Sequence, residues 1–116
     1  MPGEVNQPPE IGPQEARALL DAGAYLLDVR EPDEWAAGHA DEATHIPLGE
    51  LEQRYREVPL DRTVVCVCRS GVRSAQAAAA LAGVGYDAVN LTGGMRAWAA
   101  ARLPFVDASG APGRVI

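Results

Sequence analysis

The chain has 116 residues and carries 10 arginines and no lysine against 16 acidic side chains, giving a formal charge of −6. Its length fits one domain, and an apolar fraction of 47% excludes wholesale disorder. An acidic chain without a basic cluster is also a poor partner for nucleic acid or an anionic membrane.

Residues 1–9 are polar and Pro-rich and read as a flexible arm, lacking the basic and apolar stretches of a signal peptide. Gly12 and Pro13 open a helix on which Ala16, Leu19 and Leu20 recur at helical spacing, and Gly23 ends it. Tyr25 to Val29 (YLLDV) is a short apolar run suited to a strand buried on both faces. Pro32, Asp33 and Glu34 form the acidic first turn of a second short helix that closes near Gly38. His45 to Leu48 reads as extended, and Leu51 to Tyr55 as a short helix or amphipathic turn.

Thr63 to Val67 (TVVCV) is the strongest strand signal, β-branched except at Cys66. A polar loop, CRSGVR, follows and leads into an alanine-rich helix predicted to begin at Ser74 and to stop at Gly83 and Gly85. With 21 alanines in the chain and only 5% aromatics, the core must rely on close helix approach. Ala88 to Leu91 is a further strand, and Gly93-Gly94 precede a last helix over Met95 to Ala100. Residues 10–103 are expected to form the domain and residues 104–116 a loop-like tail. Strands alternate with helices at intervals too long for hairpins, which predicts one α/β domain with a parallel sheet and helices on both faces. The longest apolar run, Ala77 to Gly85, is too short and too weakly hydrophobic to span a bilayer.

The chemistry concentrates at the end of the TVVCV strand. Cys66 and Cys68 stand two positions apart, about 6.5 Å in extended chain and near the limit of disulfide geometry. Free thiols in a reducing cytosol are therefore expected, and with them a cytoplasmic location. Cys68 lies where a parallel strand gives way to a helix, the place where α/β sheets bind ligands. Backbone N–H groups of the loop and the helix N-terminus would converge there in an anion-binding nest. Gly71 permits the curl, and Arg69 and Arg73 add positive charge. All of these lower a thiol's pKa and favour the nucleophilic thiolate. Cys66, inside the strand, reads instead as a buried and inert thiol, its sharper reading being a thiol that resolves an intermediate on Cys68.

Three motifs carry a resemblance to the single-domain rhodaneses, the thiosulfate sulfurtransferase-like family, over about Glu10 to Ala101. Cys68-Arg69-Ser70-Gly71-Val72-Arg73-Ser74 resembles the family's active-site loop. LLDVREPDEWAAGHADEATHIPL, with Asp28, Arg30, Glu34, Gly38 and His39, resembles its first signature, and NLTGGMRAW, with Gly93, Gly94 and Trp98, its last. The resemblance implies a five-stranded parallel sheet and a two-step transfer. In it the Cys68 thiolate takes the outer sulfur of thiosulfate, sulfite leaves, and the persulfide passes its terminal sulfur to cyanide or a thiol. The amides from Arg69 to Ser74 would hold charge on sulfur, while Arg69 and Arg73 would attract the anionic donor. No metal or organic cofactor is implied.

Ser70 stands where many two-domain members carry a basic residue, which weakens the case for thiosulfate itself as donor. A relay module handing persulfide sulfur to a thiol-bearing protein partner is the alternative. A phosphatase or arsenate reductase is a more distant one, because four residues between Cys68 and Arg73 make a narrower cradle than the five of the related phosphatases. Asp28 and Arg30 should support the loop from a neighbouring strand end, most simply as an ion pair tying strand to helix. His39 and His45 fit no common zinc spacing, and Trp35 and Trp98 read as core or pocket-rim aromatics.

Overall fold

The computed structural model describes residues 7–116. It contains five strands, β1 (Glu10–Ile11), β2 (Tyr25–Asp28), β3 (Thr44–His45), β4 (Val64–Val67) and β5 (Ala88–Leu91). Its helices are α1 (Pro13–Asp21), α2 (Pro32–Ala37), α3 (Leu51–Arg54), α4 (Val72–Gly83) and α5 (Gly94–Ala100). All strand pairs are parallel, in the order β1-β5-β4-β2-β3. The α/β architecture with an all-parallel five-stranded sheet is the one expected.

Period-two alternation along β4 divides the core. Val64 and Cys66, with Cys68 beyond the strand, share one face with Leu51 of α3 and with Ala77, Ala78 and Leu81 of α4. Val65 and Val67 point the other way, towards Ala16 and Leu20 of α1 and Met95 and Trp98 of α5. Ala77 and Ala78 are fully buried, so their small side chains set α4 close against the sheet. Among the described residues no helix is long and apolar enough to cross a membrane.

The differences from expectation are local. The strand β1 lies between the expected arm and the first helix, where the sequence predicts no element. Two residues hold no periodicity, and their partners, Asn90 and Leu91, are far along the chain. Most of the proposed arm, residues 1–6, falls outside the described residues. Pro9 is already fixed, its carbonyl accepting the Asn90 N–H at 2.9 Å. β3 covers Thr44–His45 rather than His45 to Leu48, because Leu48 enters a 3-10 turn over Leu48–Glu50. α4 starts at Val72, two residues before Ser74, with Gly71 capping it at φ 104°.

Residues 104–116 form little regular structure but pack back on the domain. Val106 exchanges two backbone hydrogen bonds with His39, and the Ala108 and Arg114 N–H groups donate to the Ala36 and Ala37 carbonyls. Trp98, fully buried, donates from Nε1 to the Pro104 carbonyl. Gly38 is needed here for space alone: a Cβ would sit 2.6 Å from the Arg114 carbonyl.

Candidate active site

β4 delivers Cys68 to the sheet's carboxyl edge, and alternation turns its side chain to the α4 face, beneath that helix's N-terminus. The residue is buried. Its sulfur does not rest among aliphatic groups alone. The Gly71 N–H donates to Sγ at 3.1 Å, and the Ser74 hydroxyl lies 3.3 Å away. Burial pushes the thiol up, but the Ser74 hydroxyl and the amides of Ser74, Gly71 and Ser70 together outweigh it, holding Cys68 below the ordinary thiol value. Cys66 shows the opposite balance: burial, with Cys68 as a lesser cause, pushes it up to about 12. The two cysteines are free of any disulfide.

The nest exists because the loop's leading carbonyls face outward. Those of Cys68 and Arg69 accept N–H bonds from Met95 (2.7 Å) and Arg96 (3.1 Å), in the first turn of α5. Such close approach requires glycine at 94. Its φ is 59°, and a Cβ there would lie 2.3 Å from the Cys68 carbonyl oxygen. The Gly-Gly pair of the last signature thus buttresses the loop from behind, leaving its amides turned towards sulfur.

The two arginines flank the loop as expected from their positions in the chain, but each is engaged by another part of the protein. Arg73 does not point its guanidinium freely into the nest; it forks onto Glu34 of α2, at 2.7 and 2.8 Å. Arg69 donates from Nε to the Ile116 carbonyl at 2.8 Å. Both cations therefore have protein partners, since a guanidinium near the surface satisfies its fork on the nearest oxygen acceptors. Arg73 first, then the Glu31 N–H and Arg30, overcome burial and hold the Glu34 carboxyl at about 2. Val72, at the head of α4, is exposed beside the loop.

Asp28 and Arg30 meet in a fully buried, two-pronged ion pair at the end of β2, with N–O distances from 2.7 to 3.1 Å. The remaining Arg30 donors reach the Glu34 and Gly38 carbonyls, so the pair closes on itself and clamps α2 to the strand end. His39 and His45 stack on Trp35, with centroids 3.7 and 4.9 Å from it. Each uses one ring nitrogen on a backbone carbonyl, of Trp35 and Arg30 respectively.

Two participants escaped the sequence reading. One is Glu34 as the partner of Arg73, 39 residues away. The other is Asn90 of β5, buried, whose Oδ1 accepts from Ser74 at 2.6 Å and whose Nδ2 donates to the Gly71 carbonyl at 3.0 Å. Its signal was present: it is the one amide in the otherwise apolar strand AVNL.

The sequence pattern of the rhodanese-like domain matches residues 12–101. A sulfurtransferase of Allochromatium vinosum is 46% identical over 86 residues, covering 73% of this chain and 80% of that protein. The thiosulfate sulfurtransferase GlpE of Pseudomonas syringae is 37% identical, covering 76% of this chain and 84% of its own. The probable adenylyltransferase/sulfurtransferase MoeZ of Mycobacterium tuberculosis is 46% identical over 94 residues, but this chain spans only 24% of its length. Among solved structures, a rhodanese-related protein from Thermoplasma volcanium superposes with a TM-score of 0.80 at 30% identity, covering 84% of this chain and 97% of that one.

Proposed function

The chain belongs to the rhodanese-like family, and on that premise we propose that it is a sulfurtransferase moving a sulfane sulfur through a persulfide on Cys68. The observation that carries the reading is the sulfur of Cys68 under converging N–H donors, its thiol held below its ordinary value despite burial. The names of relatives support sulfur transfer as the reaction class, and one of them supports thiosulfate as donor.

The first step forms a bond between Cys68 Sγ and the outer sulfur of thiosulfate. The bond from that sulfur to the sulfite sulfur breaks, and sulfite departs with the electron pair. The terminal persulfide sulfur then carries the negative charge, which the amides of Ser70, Gly71 and Ser74 are arranged to receive. In the second step a cyanide or thiolate acceptor attacks that terminal sulfur, and the Cys68 thiolate is restored as leaving group. The same donors serve thiolate and persulfide, so neither state is stranded in a low-dielectric pocket. None of these steps draws on a metal or organic cofactor.

Exposure to thiosulfate should add about 32 Da, one sulfur, to the peptide holding Cys68. Cys68→Ser is expected to lose both this adduct and thiosulfate:cyanide turnover, with an unchanged circular-dichroism spectrum. Undiminished turnover in that variant would refute the assignment. A protein that loads from thiosulfate but unloads only to a protein thiol would be a relay module rather than a small-molecule enzyme.

A further inference from the structure

The buried amide of Asn90 has only one orientation that satisfies its neighbours. Its Nδ2 faces the Gly71 carbonyl at 3.0 Å and the Glu10 carboxylate oxygens at 3.0 and 3.1 Å, all acceptors. Both amide hydrogens are used there, which fixes Oδ1 towards Ser74 as an acceptor. The Ser74 hydroxyl has a single hydrogen and two candidate acceptors, Asn90 Oδ1 at 2.6 Å and Cys68 Sγ at 3.3 Å. Against a neutral thiol sulfur, a weak acceptor, the amide oxygen at 2.6 Å takes it. The hydroxyl's lone pairs are then left facing the neutral thiol, and donation to a thiolate requires the hydroxyl to give up its bond to Asn90.

We propose that Asn90 is a positioning residue for the nucleophile: it holds the Ser74 hydroxyl hydrogen off Cys68, so that Ser74 turns to donate to sulfur only when negative charge forms there. Glu10, on the edge strand β1, holds Asn90 in the orientation that does this. Because that turn costs the bond to Asn90, Ser74 lowers the thiol less than an unengaged hydroxyl would, and its donation is committed only once sulfur is charged. The inference rests on Cys68 being the nucleophile of the proposed reaction, but its test reads thiol chemistry alone, so its failure and that of sulfur transfer are distinguishable.

The other charged or titratable groups around Cys68 are accounted for. Cys66, two residues back on β4, is fully buried and pushed up to about 12. From α4, Arg73 acts on Cys68 but is paired with Glu34 of α2. Arg69 is bound to the Ile116 carbonyl. Asp28 and Arg30, on the β2 side, neutralise each other. Among the described residues, β5 and β1 contribute Asn90 and, through it, Glu10.

The experiment is the pH profile of Cys68 alkylation by iodoacetamide, read as the mass of the Cys68 peptide, in the wild type, Asn90→Ala, Ser74→Ala and the double variant. Asn90→Ala should free the hydroxyl to donate to sulfur and move the midpoint down by about one unit. The same substitution in the Ser74→Ala background should move it hardly at all. A midpoint unchanged or raised in folded Asn90→Ala, or an equal fall without Ser74, would overturn the proposal. Should Asn90→Ala fail to fold, Ser74→Ala alone decides. A rise below about half a unit is expected, because the hydroxyl is mostly engaged with Asn90. A rise of one unit or more would mean that Ser74 already donates freely to sulfur.

Discussion

Arg73 and Glu34 show how a side chain's charge and its use can differ. The fork at 2.7 and 2.8 Å neutralises the cation, so an incoming anion meets a dipole rather than a bare charge. Arg73→Ala would remove the cation and leave the Glu34 carboxylate facing the same approach. It is expected to raise the thiosulfate KM roughly tenfold with a smaller fall in kcat. Adding Glu34→Gln should restore part of the loss, a coupling that steady-state kinetics on the four variants would read. A large fall in kcat at constant KM would contradict this. At this scale the placement of Cys68 at the strand's exit, beneath the loop amides, was legible from a thiol followed by glycine, two arginines and a helix start. The destinations of Arg69 and Arg73 were not, because their acceptors, Ile116 and Glu34, come from distant parts of the chain.

Among the elements, the contact of α5 with the Cys68 loop is the most exacting. Gly94→Ala combines a φ of 59° with a Cβ 2.3 Å from the Cys68 carbonyl oxygen and 2.6 Å from that of Arg69. None of these is the end of a flexible side chain that could step aside. The cost should be at least about 2 kcal/mol, from backbone strain plus the displaced contact. Urea denaturation would show it, and a loss below about 0.5 kcal/mol would mean that α5 can slide without consequence. The sequence placed helices and strands by their apolar spacing and by glycines such as Gly23, which does have φ 108°. It misjudged the start of α4, because the residues from Val72 to Ser74 look like the rest of a polar loop until Gly71 is seen to cap them. The short edge strands were faint for a similar reason: a two-residue pairing leaves no pattern to read.

For the molecule as a whole, the parallel sheet follows from strand–helix alternation, whereas the packing of residues 104–116 could not be read from their Gly, Pro and Ser content. These residues close over α2, the helix that Glu34 also ties to α4. Glu34 titrates near 2 in the folded protein against an ordinary 4.5. Its carboxylate therefore stabilises the fold fully above about pH 4.5, and that contribution drains away as pH falls towards 2. The difference in denaturation midpoint between wild type and Glu34→Gln should be widest near neutrality and shrink steadily from pH 4.5 to 3. A difference that stays constant over this range would show that the ion pair adds no net stability.

The two-residue strand β1 is held by the edge of the sheet, yet its Glu10 grips the amide that governs Ser74. Loss of that one short pairing would release the Asn90 amide, and through it the Ser74 hydroxyl, without altering any residue of the Cys68 loop.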